Sequence, residues 1–135
     1  MKLNPYLNFN GQCAEAFEFY HGVLGGNIMS KMTWGEMPDA KIPAELQDRV
    51  MHVSLQIGDE WLMGADSPPD SFEKAQGISV ALHYQNASEG ERIFNSLAEG
   101  GNVMMPFQKT FWAAGFGMCV DRFGIPWLVN CEQAL

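Results

Sequence analysis

Three histidines and three cysteines are the side chains of this sequence best suited to chemistry. His52 lies in the segment 50–57, VMHVSLQI, where Met51, Val53, Leu55 and Ile57 alternate with His52, Ser54 and Gln56. That alternation is the mark of a strand with one apolar and one polar face. A histidine on the polar face titrates near neutral pH and can bind a ligand or move a proton. A histidine hydrogen-bonded at a rim or in a dimer interface would leave the same signature, and no carboxylate partner stands nearby in sequence. His83 shares parity with Ser79 in the segment 77–84, so both can face a ligand; a surface histidine at a strand end reads the same way. His21 falls at the end of a helical segment and suits a C-terminal cap.

Cys13, Cys119 and Cys131 contain no CxxC pair, and their number is odd. They fit reduced thiols of a cytoplasmic protein better than a disulfide framework or a zinc site. Cys13 stands near a helix start, where a thiol pKa can fall; buried inert cysteine is the commoner case.

Aromatic side chains form a second candidate set. Trp34, Phe107, Phe111, Trp112 and Phe116 include two, Phe111 and Trp112, in a loop-like stretch. There they can wall a pocket and stack on a planar ligand, or equally pack an interface or a sheet edge. Trp61, on the return strand, and Asn130, a polar side chain on the last strand, complete a ligand-binding set of His52, Trp61, Ser79, His83, Phe111, Trp112 and Asn130.

The elements that must position these residues follow from periodicity and punctuation. The spacing predicts a strand over 3–9, a turn at Asn10-Gly11 and a helix over 12–23. The helix carries Ala16, Phe19, Tyr20 and Val23 on one stripe and stops at Gly25-Gly26. Strands follow over 27–34, 50–57 and 60–65, with a long loop at 35–49 and a tight turn at Gly58-Asp59. The second half repeats the order. A strand over 77–84 precedes a helix over 88–99, with Ser88 and Glu91 as a capping box. Strands over 102–107, 115–121 and 125–131 follow, the last two joined at Asp121-Arg122-Phe123-Gly124. The element order duplicates although no residue-level repeat is visible.

Length and composition set the outer limits. A chain of 135 residues makes one domain able to bury roughly two thirds of its unfolded surface. A formal net charge of −8 argues against nucleic acid and anionic membranes, which recruit Lys and Arg. The opening MKLNPYLNF has no long apolar stretch, so neither a secretory leader nor a spanning helix is expected. Nine methionines suit an adaptable apolar lining, though gap-filling in a core accounts for most.

Three segments carry a family resemblance: PYLNFNGQCAEAFEFYHGVLGG (5–26), DRVMHVSLQIGDEWLMGADS (48–67) and TFWAAGFGMCVDRFGIPWLVN (110–130). In order and spacing they resemble the PhnB-like branch of the vicinal-oxygen-chelate superfamily. The resemblance implies an α+β fold of two βαβββ modules, about 1–70 and 71–135, with mixed sheets forming a curved cleft of the glyoxalase/bleomycin-resistance kind. It implies no single reaction, because the superfamily includes lyases, dioxygenases and metal-free antibiotic-binding proteins. The branch is often labelled a 3-demethylubiquinone methyltransferase domain, but no glycine-rich nucleotide loop follows a strand here. Metal-using members place four His or Glu ligands on four strands. Those positions align with Pro5, Met63, Ser79 and Leu128, none of them a usual ligand for a divalent ion. The resulting expectation is a protein without metal or cofactor that binds a small apolar or aromatic molecule and pairs with itself as a homodimer. The alternative is a metal- or histidine-dependent lyase- or dioxygenase-type enzyme acting on a small oxygenated substrate.

Overall fold

A computed structural model describes residues 1–38 and 41–132. They divide into two compact units, Met1–Glu73 and a second from Lys74 onward. In the first, strand β1 (Tyr6–Phe9) leads into helix α1 (Cys13–Leu24), followed by β2 (Asn27–Thr33), β3 (Val50–Ile57) and β4 (Glu60–Asp66). The sheet order is β1-β4-β3-β2, with β1 parallel to β4 and the other pairs antiparallel. In the second, β5 (Val80–Tyr84), α2 (Ala87–Ala98), β6 (Asn102–Gln108), β7 (Ala113–Val120) and β8 (Pro126–Glu132) give the order β5-β8-β7-β6. The parallel pair is again the first strand with the last. The duplicated βαβββ order is therefore present, as an α+β fold. Among the described residues no helix is long and apolar enough to cross a membrane.

Each helix covers one face of its own sheet. On α1 the buried stripe is Cys13, Ala16, Phe17 and Tyr20, the i, i+3, i+4, i+7 pattern of an amphipathic helix. The sequence had placed Phe19 and Val23 on that stripe. Phe17 takes their place because β4 leaves room for it: a Cβ on Gly64 would lie 2.7 Å from Phe17 Cε1. Phe9, Phe17 and Tyr20 then form one aromatic cluster, with centroids 5.4 Å to 6.5 Å apart. In the second unit, Gly90 of α2 rests on Cys131 of β8, and Gly117 of β7 accommodates Phe94. Phe107 packs on this same side, 5.7 Å from the Phe94 ring. It is a core residue of the second unit and no part of an open aromatic wall; register shifts along β6 turn it inward.

Local punctuation differs from the sequence reading in three places. The α2 N-cap is Asn86, whose Oδ1 accepts from Glu89 N at 3.1 Å, and Ser88 already lies inside the helix. The end of α1 is closed by backbone, Gly25 N donating to His21 O at 2.9 Å, and the His21 ring takes no part. The segment 35–49 holds two short 3₁₀ turns, Trp34–Glu36 and Ala44–Leu46. Its ends are tied by Trp34 N to Arg49 O and Gly35 N to Gln47 O.

Two buried carboxylates organise the loops. Asp66 closes β4 and accepts from Gly11 N at 2.7 Å, Cys13 N at 3.0 Å and Val50 N at 2.9 Å. One side chain thus ties the start of α1, the start of β3 and the end of β4. Asp121 accepts from Phe123 N, Ile125 N and the Trp127 indole N–H, at 2.8 Å to 3.0 Å, and shapes the β7–β8 hairpin. Gly124 in that turn has φ of 90°, the left-handed region that glycine tolerates. Replacing Asp66 with Ala strands three backbone donors, each worth roughly 1–3 kcal/mol when left buried and unpaired. The expected outcome is a loss of roughly 3 kcal/mol or more in urea unfolding, against a change near zero for Asp70→Ala at the exposed turn.

All three cysteines are buried and free. The Cys13 thiol pKa is raised, first by burial and then by the Asp66 carboxylate, with Lys31 opposing; proximity to a helix start does not make it reactive. Cys119 is pushed up from 9.0 to about 11, by burial and then by Asp121. A raised thiol pKa means that the folded state holds the proton more tightly than the unfolded chain. That contribution is complete below pH 9.0 and is lost as pH rises through about 11. Stability measured by denaturant titration is therefore expected to fall between those values. Native thiols are expected to resist a disulfide reagent at pH 8, and all three to react once the chain is unfolded.

Candidate functional site

The face of each sheet opposite its helix carries the candidate residues. Strand parity and register assign them. In the first unit Leu7, Phe9, Val53, Leu55, Leu62 and Gly64 point to α1. The opposite parity puts Tyr6, His52, Ser54, Trp61 and Met63 together on the open face. There the Tyr6 hydroxyl lies 3.0 Å from His52 Nδ1, and the rings are 5.8 Å apart. Burial raises the Tyr6 pKa, with Cys13 adding to it, so Tyr6 remains a hydroxyl, which gives or takes this hydrogen bond according to the His52 tautomer. Such a pair can relay a proton between a ligand and the tyrosine oxygen. Ser30 and Ser54 hydroxyls meet at 2.9 Å on the same face. Tyr6 escaped the sequence reading, although its alternation with Leu7 and Phe9 was the signal that placed it.

In the second unit the open-face parity is that of Ala81, His83, Phe116, Met118, Leu128 and Asn130. His83, Asn130, Phe116 and Gln108 form one continuous rung across all four strands. Asn130 Nδ2 lies 3.4 Å from His83 Nδ1, a long hydrogen bond. The other end of this amide, Oδ1, is shut off from solvent and has no hydrogen-bond partner among the described residues. A buried polar atom left unpaired costs about 1–3 kcal/mol and is rare in folded proteins.

Beside this rung stands an aromatic ledge. Trp112 meets Phe116 at 5.4 Å, edge to face, and Phe111 meets Trp112 at 4.8 Å in the same manner. Thr110 Oγ1 accepts from Trp112 N at 3.3 Å and Ala113 N at 3.0 Å, which fixes the turn that carries the ledge. Phe111 is 89% exposed and Trp112 48%, large values for aromatic rings. The structure thus joins His83 to Asn130, and Phe111 and Trp112 to Phe116, the rung neighbour of Asn130; His52 and Trp61 share a face but lie four residues apart along it. Ser79 stands apart from the rung, because β5 begins at Val80 rather than at residue 77.

The positions aligned with superfamily metal ligands shift as well. Met63 pairs with Tyr6, not Pro5, which contributes only its carbonyl to Met63 N. Leu128 pairs with Ala81, not Ser79. At the positions carried over from the resemblance, the open-face side chains are Tyr6 and Met63 in one unit and Ala81 and Leu128 in the other; the next open-face pairs along the same strands are Asn8 with Ala65 and His83 with Asn130. A phenol, a thioether and two aliphatic groups are not a donor set for a hard or borderline divalent ion. Among the described residues no three His, Cys, Asp or Glu side chains come together.

Comparison with known proteins follows the same lines. A family model described as 3-demethylubiquinone-9 3-methyltransferase matches residues 1–130. Protein YjdN of Escherichia coli (strain K12) is 35% identical over 139 residues, covering 96% of this chain and 95% of its own. Among solved structures, protein PA1353 from Pseudomonas aeruginosa is 47% identical with a TM-score of 0.91, covering 99% of each chain. The fosfomycin resistance protein FosX from Listeria monocytogenes is 9% identical with a TM-score of 0.67, over 98% of this chain and 94% of its own, a likeness of fold alone. The chain belongs to the family that this model describes, 3-demethylubiquinone-9 3-methyltransferase.

Proposed function

We propose that this protein binds a small, largely apolar or aromatic molecule on an open sheet face, without a resident metal ion. The observation that carries the reading is the ledge of Trp112 and Phe116 set beside Asn130 and His83 on one face. Binding sites of this kind combine apolar walls with a few placed polar groups. Tyr6, Met63, Ala81 and Leu128 do not fit the ion that other superfamily members hold, so no step is routed through one. Methyl transfer is not proposed either: the turn after β1 reads Asn10-Gly11-Gln12, with no glycine-rich loop to hold a nucleotide-like donor. The Tyr6–His52 pair favours a second reading, histidine-dependent proton transfer to a small oxygenated substrate.

The expected result of metal analysis is less than one equivalent of zinc, nickel, iron or manganese. This holds for the protein as purified and after incubation with each ion and desalting. One tightly held equivalent would overturn the metal-free reading.

We also propose a two-fold homodimer. Met29, Met32, Val103, Met104 and Met105 are exposed on the edge strands β2 and β6. Apolar surface of this kind drives association at roughly 25 cal/mol per Å² before the costs of binding. The buried free thiols suit a reducing compartment, and we place the protein in the cytoplasm. Light scattering at micromolar concentration is expected to give twice the 15.0 kDa mass of the chain, and a monomer mass would refute the dimer.

A further inference from the structure

We infer that the molecule taken by the second unit is a neutral, planar aromatic carrying an N–H or O–H donor on its edge. This rests on the binding role proposed above and narrows it to a chemical class. Asn130 Oδ1 is a hydrogen-bond acceptor with no partner among the described residues, on a face whose other residues are Phe116, Met118, Leu128, Ala81 and His83. Its orientation is set from the other end, because Asn130 Nδ2 donates to His83 Nδ1. In this arrangement the Asn130 amide is spent on its nitrogen side and presents Oδ1 as its unused acceptor. The rung His83–Asn130–Phe116–Gln108 carries no formal charge when His83 is neutral, which disfavours an ionic ligand.

Trp112 and Phe116 supply the other half of the recognition. Their edge-to-face arrangement leaves an exposed indole on which a further ring can pack. Oδ1 is closed off in the ligand-free molecule, so a side chain of this face must turn before a donor reaches it. A ligand that stacks on Trp112 and donates to Asn130 satisfies the orphan acceptor in the same event. A ring lacking the donor gains the stacking and leaves the acceptor unpaired, and sites of this design discriminate strongly against such analogues.

The test uses matched probes that differ only in the donor: indole against 1-methylindole, and phenol against anisole. Dissociation constants are measured by calorimetry on the full chain, with thermal shift as a second readout. Indole and phenol are expected to bind at least tenfold more tightly than their methylated counterparts. Asn130→Leu, which removes the orphan, is expected to abolish that preference while unfolding at the same or a higher temperature. Equal binding of both members of each pair would overturn the donor inference and leave the binding role standing. No binding of any probe at millimolar concentration would overturn both. A wild-type preference that survives in Asn130→Leu would assign the donor contact elsewhere and overturn the role of Asn130.

Discussion

Everything in this molecule depends on one geometric constraint: a four-stranded sheet with a single helix can cover only one of its faces. Strand alternation then sorts side chains into two populations. Those facing the helix, such as Phe9, Leu55, Trp127 and Val129, are wholly buried and make the core. Those facing the other way include Tyr6, His52, Trp61, Phe116, Leu128 and Asn130 and remain only partly covered. The chemistry-bearing residues collect on that second face because the first has no room for them. Gly64, Gly90 and Gly117 show how closely each helix or its neighbouring rings press on the sheet.

The constraint also explains why the polar groups fall into two kinds. Asp66 and Asp121 are buried, but each accepts three hydrogen bonds and holds loops together, so neither is available for a ligand. On the open faces the bonds are fewer. His52 has Tyr6, and Asn130 has His83 on one side and, among the described residues, nothing on the other. Satisfied buried groups rigidify a structure, and a half-satisfied group at an accessible face marks a place where something can bind.

Much of the fold was legible from the sequence because its signals were local. The alternation of VMHVSLQI defined β3 to the residue, and the glycine stops placed both helices within a turn. What failed was register. Periodicity gives the parity of a strand but not where a short strand begins, so Ser79 was counted with a strand that starts at Val80. Whether Phe107 walls a pocket or packs inward was left open, because two register shifts in β6 cannot be seen in its sequence. The α1 stripe moved to Cys13 and Phe17 because the space at Gly64 is a tertiary fact. His83 and Asn130 do meet on one sheet, whereas the pairing of Tyr6 with His52 spans 46 residues and left no sequence trace.

The central claim is that the open faces serve an organic molecule and not a metal ion. Amide and indole resonances of isotopically labelled protein test it directly, titrated first with Mn²⁺ and then, in a fresh sample, with indole. The expected result is no selective broadening at Tyr6, Met63, Ala81 or Leu128 with substoichiometric Mn²⁺, and shifts of the Trp112 indole and Asn130 side-chain signals with indole. Selective loss of the Tyr6, Met63, Ala81 and Leu128 signals at a fraction of an equivalent of Mn²⁺, with the Trp112 and Asn130 signals unmoved by indole, would contradict it.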